Sequence, residues 1–264
     1  MTKTLQIANG IALVSTVFIN YLSNTGLMNN TTIGEVSGGL RSLFTPAGYA
    51  FAIWGLIYIL LFGFALYQGR SLFVKGKKDS FVLDVGWWFV ISCIANCAWI
   101  FAWIYGYTGL SVICMFIILF SLLRIIWKNN MELWDAPLGI IFFLWWPFVI
   151  YSGWIAVASI ANVSAYLVKI GWDGLGISEV SWTLFMIGIA TAINLLITWR
   201  RNMREFALVG AWALVAIAVA NEGEPVIRKI ALASALLLMV SSGIHALKNY
   251  KTNPLIKLFQ SHKK

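Results

Sequence analysis

Residues 137–168 read PLGIIFFLWWPFVIYSGWIAVASIANVSAYLV, thirty-two consecutive positions without one Asp, Glu, Lys or Arg. An apolar run of about 20 residues is enough to cross a bilayer as a helix. This one is long enough to tilt or kink, and Pro147 inside it marks the kink site. In hydrocarbon each backbone N–H and C=O must be satisfied within the segment or within a closed barrel. The run is too long and too uniformly apolar for a barrel strand, whose two faces alternate. It therefore reads as a transmembrane helix.

Working outward, comparable runs occupy 5–22, 46–68, 84–105, 110–127, 181–199, 206–220 and 226–247, the next to last being the shortest. Thr45 and Pro46 suit the N-cap and first position of the second helix. The turn Gly106-Tyr107-Thr108-Gly109 is short enough to fold the fourth helix back antiparallel to the third. The fold class is all-α, a polytopic bundle of about eight transmembrane helices. Composition agrees: 60% of the chain is hydrophobic and 11% charged, against roughly 25% charged in soluble domains. Lys3 followed by an apolar centre imitates a secretory signal, but no small-x-small cleavage site follows residue 22, so the first helix is retained.

The net charge of +9 does not indicate nucleic acid, because the basic residues sit in short loops between apolar runs. With both termini cytoplasmic, fifteen of the nineteen Lys and Arg fall on the inner side. They are Lys3, Arg70, Lys75, Lys77, Lys78, Arg124, Lys128, Arg200, Arg201, Arg204 and five in the basic tail over 248–264. Arg41, Lys169, Arg228 and Lys229 fall outside. This obeys the positive-inside rule and describes a multi-pass protein of the cell membrane.

Several chemistries are missing. No ionisable residue sits clearly at mid-membrane, where a coupled transporter or pump usually carries one. There is no Walker loop, HExxH or Gly-x-Ser-x-Gly elbow. The two histidines, His245 and His262, come late, and no buried lysine offers a retinal Schiff base. Cys93, Cys97 and Cys114 read as buried free thiols, since two thiols without a third ligand make a poor metal site. No metal is expected. Carboxylates such as Asp84, Asp135, Glu179, Glu222 and Glu224 lie in loops or at helix ends.

Aromatic and amide side chains remain. Trp87, Trp88, Trp127, Trp134, Trp172, Trp182 and Trp199 sit at segment ends, as an interfacial belt would. Trp54, Trp99, Trp154 and Trp212 sit deeper. Three stripes recur at helical spacing: Phe51, Trp54, Tyr58 and Phe62; Asn96, Trp99 and Trp103; Trp154, Ala158 and Asn162. Any one of them is explained by ordinary packing, with Asn bonding between helices. Together, under the topology above, they can line one cavity beneath the long outer loop of 24–45. Stacked indoles with a few amides suit a small, flat hydrophobic ligand.

The same residues resemble the TspO/MBR family, the tryptophan-rich sensory proteins and mitochondrial translocator proteins. Its loop before the second helix ends in proline, with a tryptophan eight and a tyrosine twelve residues on, matched by Pro46, Trp54 and Tyr58. Its third helix carries Asn-x-x-Trp, matched by Asn96 and Trp99, and its fifth a Trp and Asn eight apart, matched by Trp154 and Asn162. The resemblance covers residues 1–168 and implies a five-helix unit. Three further helices over 181–247 stand outside it.

It implies a pocket for a tetrapyrrole such as a porphyrin, or a sterol-like molecule, in a sensor, regulator or carrier that forms a homodimer. In relatives that degrade porphyrin in light, the reactive indoles would correspond to Trp54 and Trp154. With no histidine before residue 245, a metal-free porphyrin is expected over haem. The chain departs from the pattern in keeping one proline, Pro46, of a pair, and in placing Pro147 seven residues before Trp154, not one turn. Two other functions fit the residues: a small-molecule transporter completed by the extra helices, or a membrane enzyme acting on a lipid or pigment, which would need a general acid or base in the cavity.

Overall fold

The structure, a computed structural model, describes residues 1–74 and 80–250. Lys75, Lys77, Lys78 and the tail from 251 on, including His262, lie outside the described residues.

Among the described residues eight long helices appear: α1 (Thr2–Leu22), α2 (Ile53–Phe73), α3 (Trp88–Ile104), α4 (Thr108–Lys128), α5 (Trp146–Lys169), α6 (Glu179–Arg201), α7 (Arg204–Ala220) and α8 (Pro225–Lys248). No strand occurs among the described residues. Six of the eight are long and apolar enough to cross a membrane, and α3 is a shorter apolar helix of 17 residues. The α7 helix also has 17 residues and buries most of them against its neighbours. At about 1.5 Å per residue, both span less than the hydrocarbon core by themselves. The chain is a multi-pass membrane protein.

Neighbour relations divide the bundle. Around the first five helices the contacts run α1–α2–α5–α4–α3 and back to α1, a closed ring. The last three form a second group in which α7 touches α6, α8 and the outer flank of α5. Small residues set that seam. A Cβ on Gly153 of α5 would stand 3.2 Å from the Phe206 carbonyl oxygen and from Val209 Cβ on α7. Close approach of this kind is how membrane helices gain dispersion contacts, because lipid supplies no hydrophobic drive between them.

The structure departs from the sequence reading at three helix starts. Pro46 does not open the second helix. A 3-10 turn over Gly48–Ala52 intervenes, and the Ala47 N–H donates to Ala216 O on α7 at 3.0 Å. The third segment breaks after a short helix, Phe81–Val85, at Gly86, whose φ of +54° suits glycine. The fifth segment is not uniform: a π-helical stretch, Ile141–Trp145, precedes α5. Pro147 lacks an N–H, and its ring crowds the carbonyl four residues back, so the irregularity falls just before it.

The loop of 24–45 also contains a helix, Ile33–Gly39. Its capping box has Glu35 N–H donating to Thr32 Oγ1 and Thr32 N–H donating to the Glu35 carboxylate.

Candidate functional site

Parts of α3, α4 and α5 and the start of α2 enclose a cavity of about 40 Å³. Its walls include Pro46, Phe51, Trp54, Trp99, Trp103, Trp154 and Asn162. Ser37, Leu40 and Thr45 of the long loop close it. With Ala158, eight of the residues singled out in the sequence therefore converge, from one loop and three helices.

Ring geometry orders the walls. Phe51 meets Trp154 edge-on with centroids 5.8 Å apart, and Trp99 stacks on Trp103 at 6.1 Å. Trp54 stacks on Tyr58 at 5.5 Å and meets Tyr151 edge-on at 5.6 Å. The Trp103 indole donates to Ile33 O at 3.2 Å and pins the loop helix onto α3. The indole N–H groups of Trp99 and Trp154 are buried and have no hydrogen-bond partner. A buried donor left unpaired costs about 1–3 kcal/mol.

Tyr58 lies elsewhere. It lines a neighbouring cavity of about 170 Å³ with Asn20, Tyr21, Asn24 and Ile33, and Phe51 and Trp54 line both spaces. The Tyr58 hydroxyl is also buried without a partner.

Asn96 lines neither cavity. Its Oδ1 accepts from Asn20 at 2.9 Å and its Nδ2 donates to the Tyr151 hydroxyl at 3.1 Å, joining α1, α3 and α5. Asn162 reaches the first cavity while its Oδ1 accepts from Ser111 of α4 at 3.0 Å. Phe62, grouped with the α2 stripe by spacing, is exposed, where lipid would lie.

Two further spaces were not legible as sites in the sequence. One, of about 780 Å³, separates α4 and α5 from α6 and is walled by apolar residues such as Phe116, Ile160, Phe185 and Ile193. It arises from how the second helix group stands off the first, which no single-helix pattern encodes. The other, of about 220 Å³, lies at the opposite end of the bundle beside Glu132, Arg204 and His245. Its two acidic members, Glu132 and Asp135, sit in a short segment, 129–136, between apolar runs. The cysteines are free, and no metal-ligating cluster occurs among the described residues.

The seam between the helix groups bears on the first cavity. The Leu43 N–H donates to Glu179 at the start of α6 at 2.9 Å, and Leu43 O accepts from Asn221 beyond α7 at 2.8 Å. Trp212 of α7 donates to Ala50 O at 3.2 Å and meets Tyr49 edge-on at 5.3 Å. The C-terminal helices thus hold the loop that covers the cavity.

The family described as TSPO-like protein matches the chain over residues 6–244. The match takes in helices from both groups and extends well beyond the 1–168 over which the motifs carried the resemblance. No curated protein and no solved structure matches the chain. Eight long helices among the described residues, a closed five-helix ring and a family match over residues 6–244 lead to one conclusion: this chain belongs to the TSPO-like protein family.

Proposed function

We propose that this protein binds a flat hydrophobic ligand, a tetrapyrrole or sterol-like molecule, inside the five-helix ring and acts as a sensor, regulator or carrier. The observation that carries the reading is the pair of buried, unpartnered indole N–H groups of Trp99 and Trp154 on one aromatic cavity. A ligand with acceptor atoms at its rim and a π-face would satisfy both the donors and the rings. The cavity of about 40 Å³ holds little more than one water, and drug-sized ligands need about 300 Å³ or more. Binding therefore requires the site to open. Phe51 and Trp54 separate it from the space of about 170 Å³, so turning these two side chains aside merges the two.

The protein sits in the cell membrane with both termini on the cytoplasmic side, in keeping with the distribution of Lys and Arg. Residues 1–168 form the binding unit, 181–247 a clamp on its covering loop, and the assembly is a homodimer.

The test is quenching of tryptophan fluorescence in the detergent-purified protein by protoporphyrin IX, with a Trp54→Ala, Trp154→Ala variant alongside. Saturation near one ligand per chain, lost in the variant, is the expected result. Quenching that never saturates, or that the variant reproduces, removes the tetrapyrrole from consideration.

The space of about 780 Å³ favours a second reading, a carrier or transporter that takes an apolar solute between the ring and α6. In that case Ile160→Trp, which narrows this space, would slow uptake while leaving porphyrin quenching unchanged.

A further inference from the structure

The cavity of about 220 Å³ lies where α4, α6 and α8 end and α7 begins, far from the tryptophan-lined site. Two of its lining residues carry opposite charges and are only 8% exposed each, Glu132 and Arg204. Glu132 Oε1 and Arg204 Nε are buried without hydrogen-bond partners. Trp145, which also lines the space, has an unpartnered indole N–H and meets Trp134 edge-on at 5.3 Å.

The surrounding frame is fixed. Asn202 ends α6 in the left-handed conformation, donates to Glu132 O at 2.9 Å, and accepts from His245 Nε2 at 3.1 Å. An amide oxygen only accepts, so the Nε2 nitrogen of His245 carries the proton. Glu132 itself has φ +63°, a conformation costing a non-glycine residue on the order of 1 kcal/mol. The chain holds a strained, buried carboxyl with one oxygen unpartnered beside a buried guanidinium whose Nε is unpartnered, and Glu205 stands near both.

A lone buried cation would call for an anion, and a lone carboxyl for an amine. Both in one small cavity select a molecule bearing both complements. The guanidinium fork matches phosphate geometry, and an ammonium is bound jointly by a carboxylate and an aromatic face. Lys128, Arg200, Arg201 and Lys248 stand at the ends of the same helices, so the local field draws in the anionic part.

We propose that this cavity binds a small ammonium–phosphate zwitterion of the phosphoethanolamine class, its phosphate on Arg204 and its ammonium between Glu132 and the indole of Trp134. The same chemistry is offered by the free molecule and by an aminophospholipid headgroup. Burial first, and then the nearby Glu205, push the Glu132 carboxyl up to about 8, with Arg204 opposing them. Arg204 and Glu205 face it from α7, His245 from α8, and Asp135 lies on its own loop. An incoming ammonium ionises the carboxyl, so binding releases a proton.

The test is calorimetric titration of the full-length detergent-solubilised protein with phosphoethanolamine and with phosphocholine, whose quaternary nitrogen has no N–H to donate. One saturable site, about tenfold tighter for phosphoethanolamine, is expected, the scale of one charge-assisted hydrogen bond. Glu132→Gln should erase that preference, and Arg204→Gln should abolish binding.

A parallel arm in nanodiscs compares retention of dioleoylphosphatidylethanolamine and dioleoylphosphatidylcholine by native mass spectrometry. Preference in this arm alone identifies a lipid headgroup; saturable binding of free phosphoethanolamine identifies a soluble ligand. No preference for ethanolamine over choline in either arm overturns the proposal, and so does unchanged binding by folded Gln variants. The wild-type comparison stands even if a variant fails to fold.

Discussion

The Asn221 side chain donates to the Leu43 carbonyl at 2.8 Å across 178 residues of chain, and in the same geometry donates to Ile217 O one turn back on α7. One amide thereby joins the end of the seventh helix to the loop over the tryptophan-lined cavity. Asn221→Ala should free that loop with little effect on the core. The expected outcome is faster porphyrin association and faster release, each by a few-fold, with thermal stability lowered by about 1 kcal/mol. Stopped-flow quenching against a melting curve checks it; a melting shift without a rate change would count against the clamp.

The two unpaired indoles separate hydrogen bonding from shape. Trp99→Phe and Trp154→Phe keep a ring but delete the N–H that has no partner in the ligand-free protein. If ligand acceptors engage these groups, each change weakens binding by about fivefold, near 1 kcal/mol. Trp154→Ala differs, because the side chain is 2% exposed and its loss opens a void costing about 3–5 kcal/mol of stability. Titrations of both Phe variants, with melting temperatures, distinguish the two effects.

Asn96 should behave as a brace. Its bonds to Asn20 and Tyr151 tie three helices together, and such interhelical bonds are worth about 0.6 kcal/mol each on average in membranes. Asn96→Leu is expected to lower stability by about 1–2 kcal/mol while ligand affinity changes less than about threefold. A large affinity loss at unchanged stability would return Asn96 to the ligand.

Glu132 gives a pH dependence of definite sign. Its carboxyl is raised in the folded chain to about 8 from the ordinary 4.5, chiefly by burial. Between those values the folded state holds a proton that the unfolded state has lost, so this residue's contribution falls as pH rises through the window. Glu132→Gln should therefore raise the melting temperature at pH 8.5, on the order of 3 °C, and have little effect near pH 5. A uniform shift at both pH values would mean the carboxyl is not the titrating group.

The long uncharged run from 137 to 168 could become nothing except a membrane helix, because bilayer and backbone leave no alternative. The same reasoning located all eight helices, and Trp54, Trp99 and Trp154 stood out because large aromatics away from the helix ends are not needed as interface anchors. The capping box of Thr32 and Glu35 is a purely local signal, yet the pattern of apolar runs reads the stretch over 24–45 only as a loop.

Other features needed three dimensions. Pro46 looked like a helix start by local rules, yet the neighbouring Ala47 N–H is taken by Ala216 of α7, a partner 169 positions away in a different helix. Asn96 and Trp99 share one face of α3, but the amide turns to Asn20 and Tyr151 while the indole reaches the cavity. Glu132 and Arg204 are separated in sequence by two long helices, α5 and α6, and meet only when the ends of α4, α6 and α8 come together. Hydrophobic length and periodicity are properties of one segment, so the sequence by itself determined what each segment is. Cavities and buried charge pairs exist only between segments, so the close approach of helices at Gly153 and the ties at Leu43 and Asn202 decided where chemistry can occur.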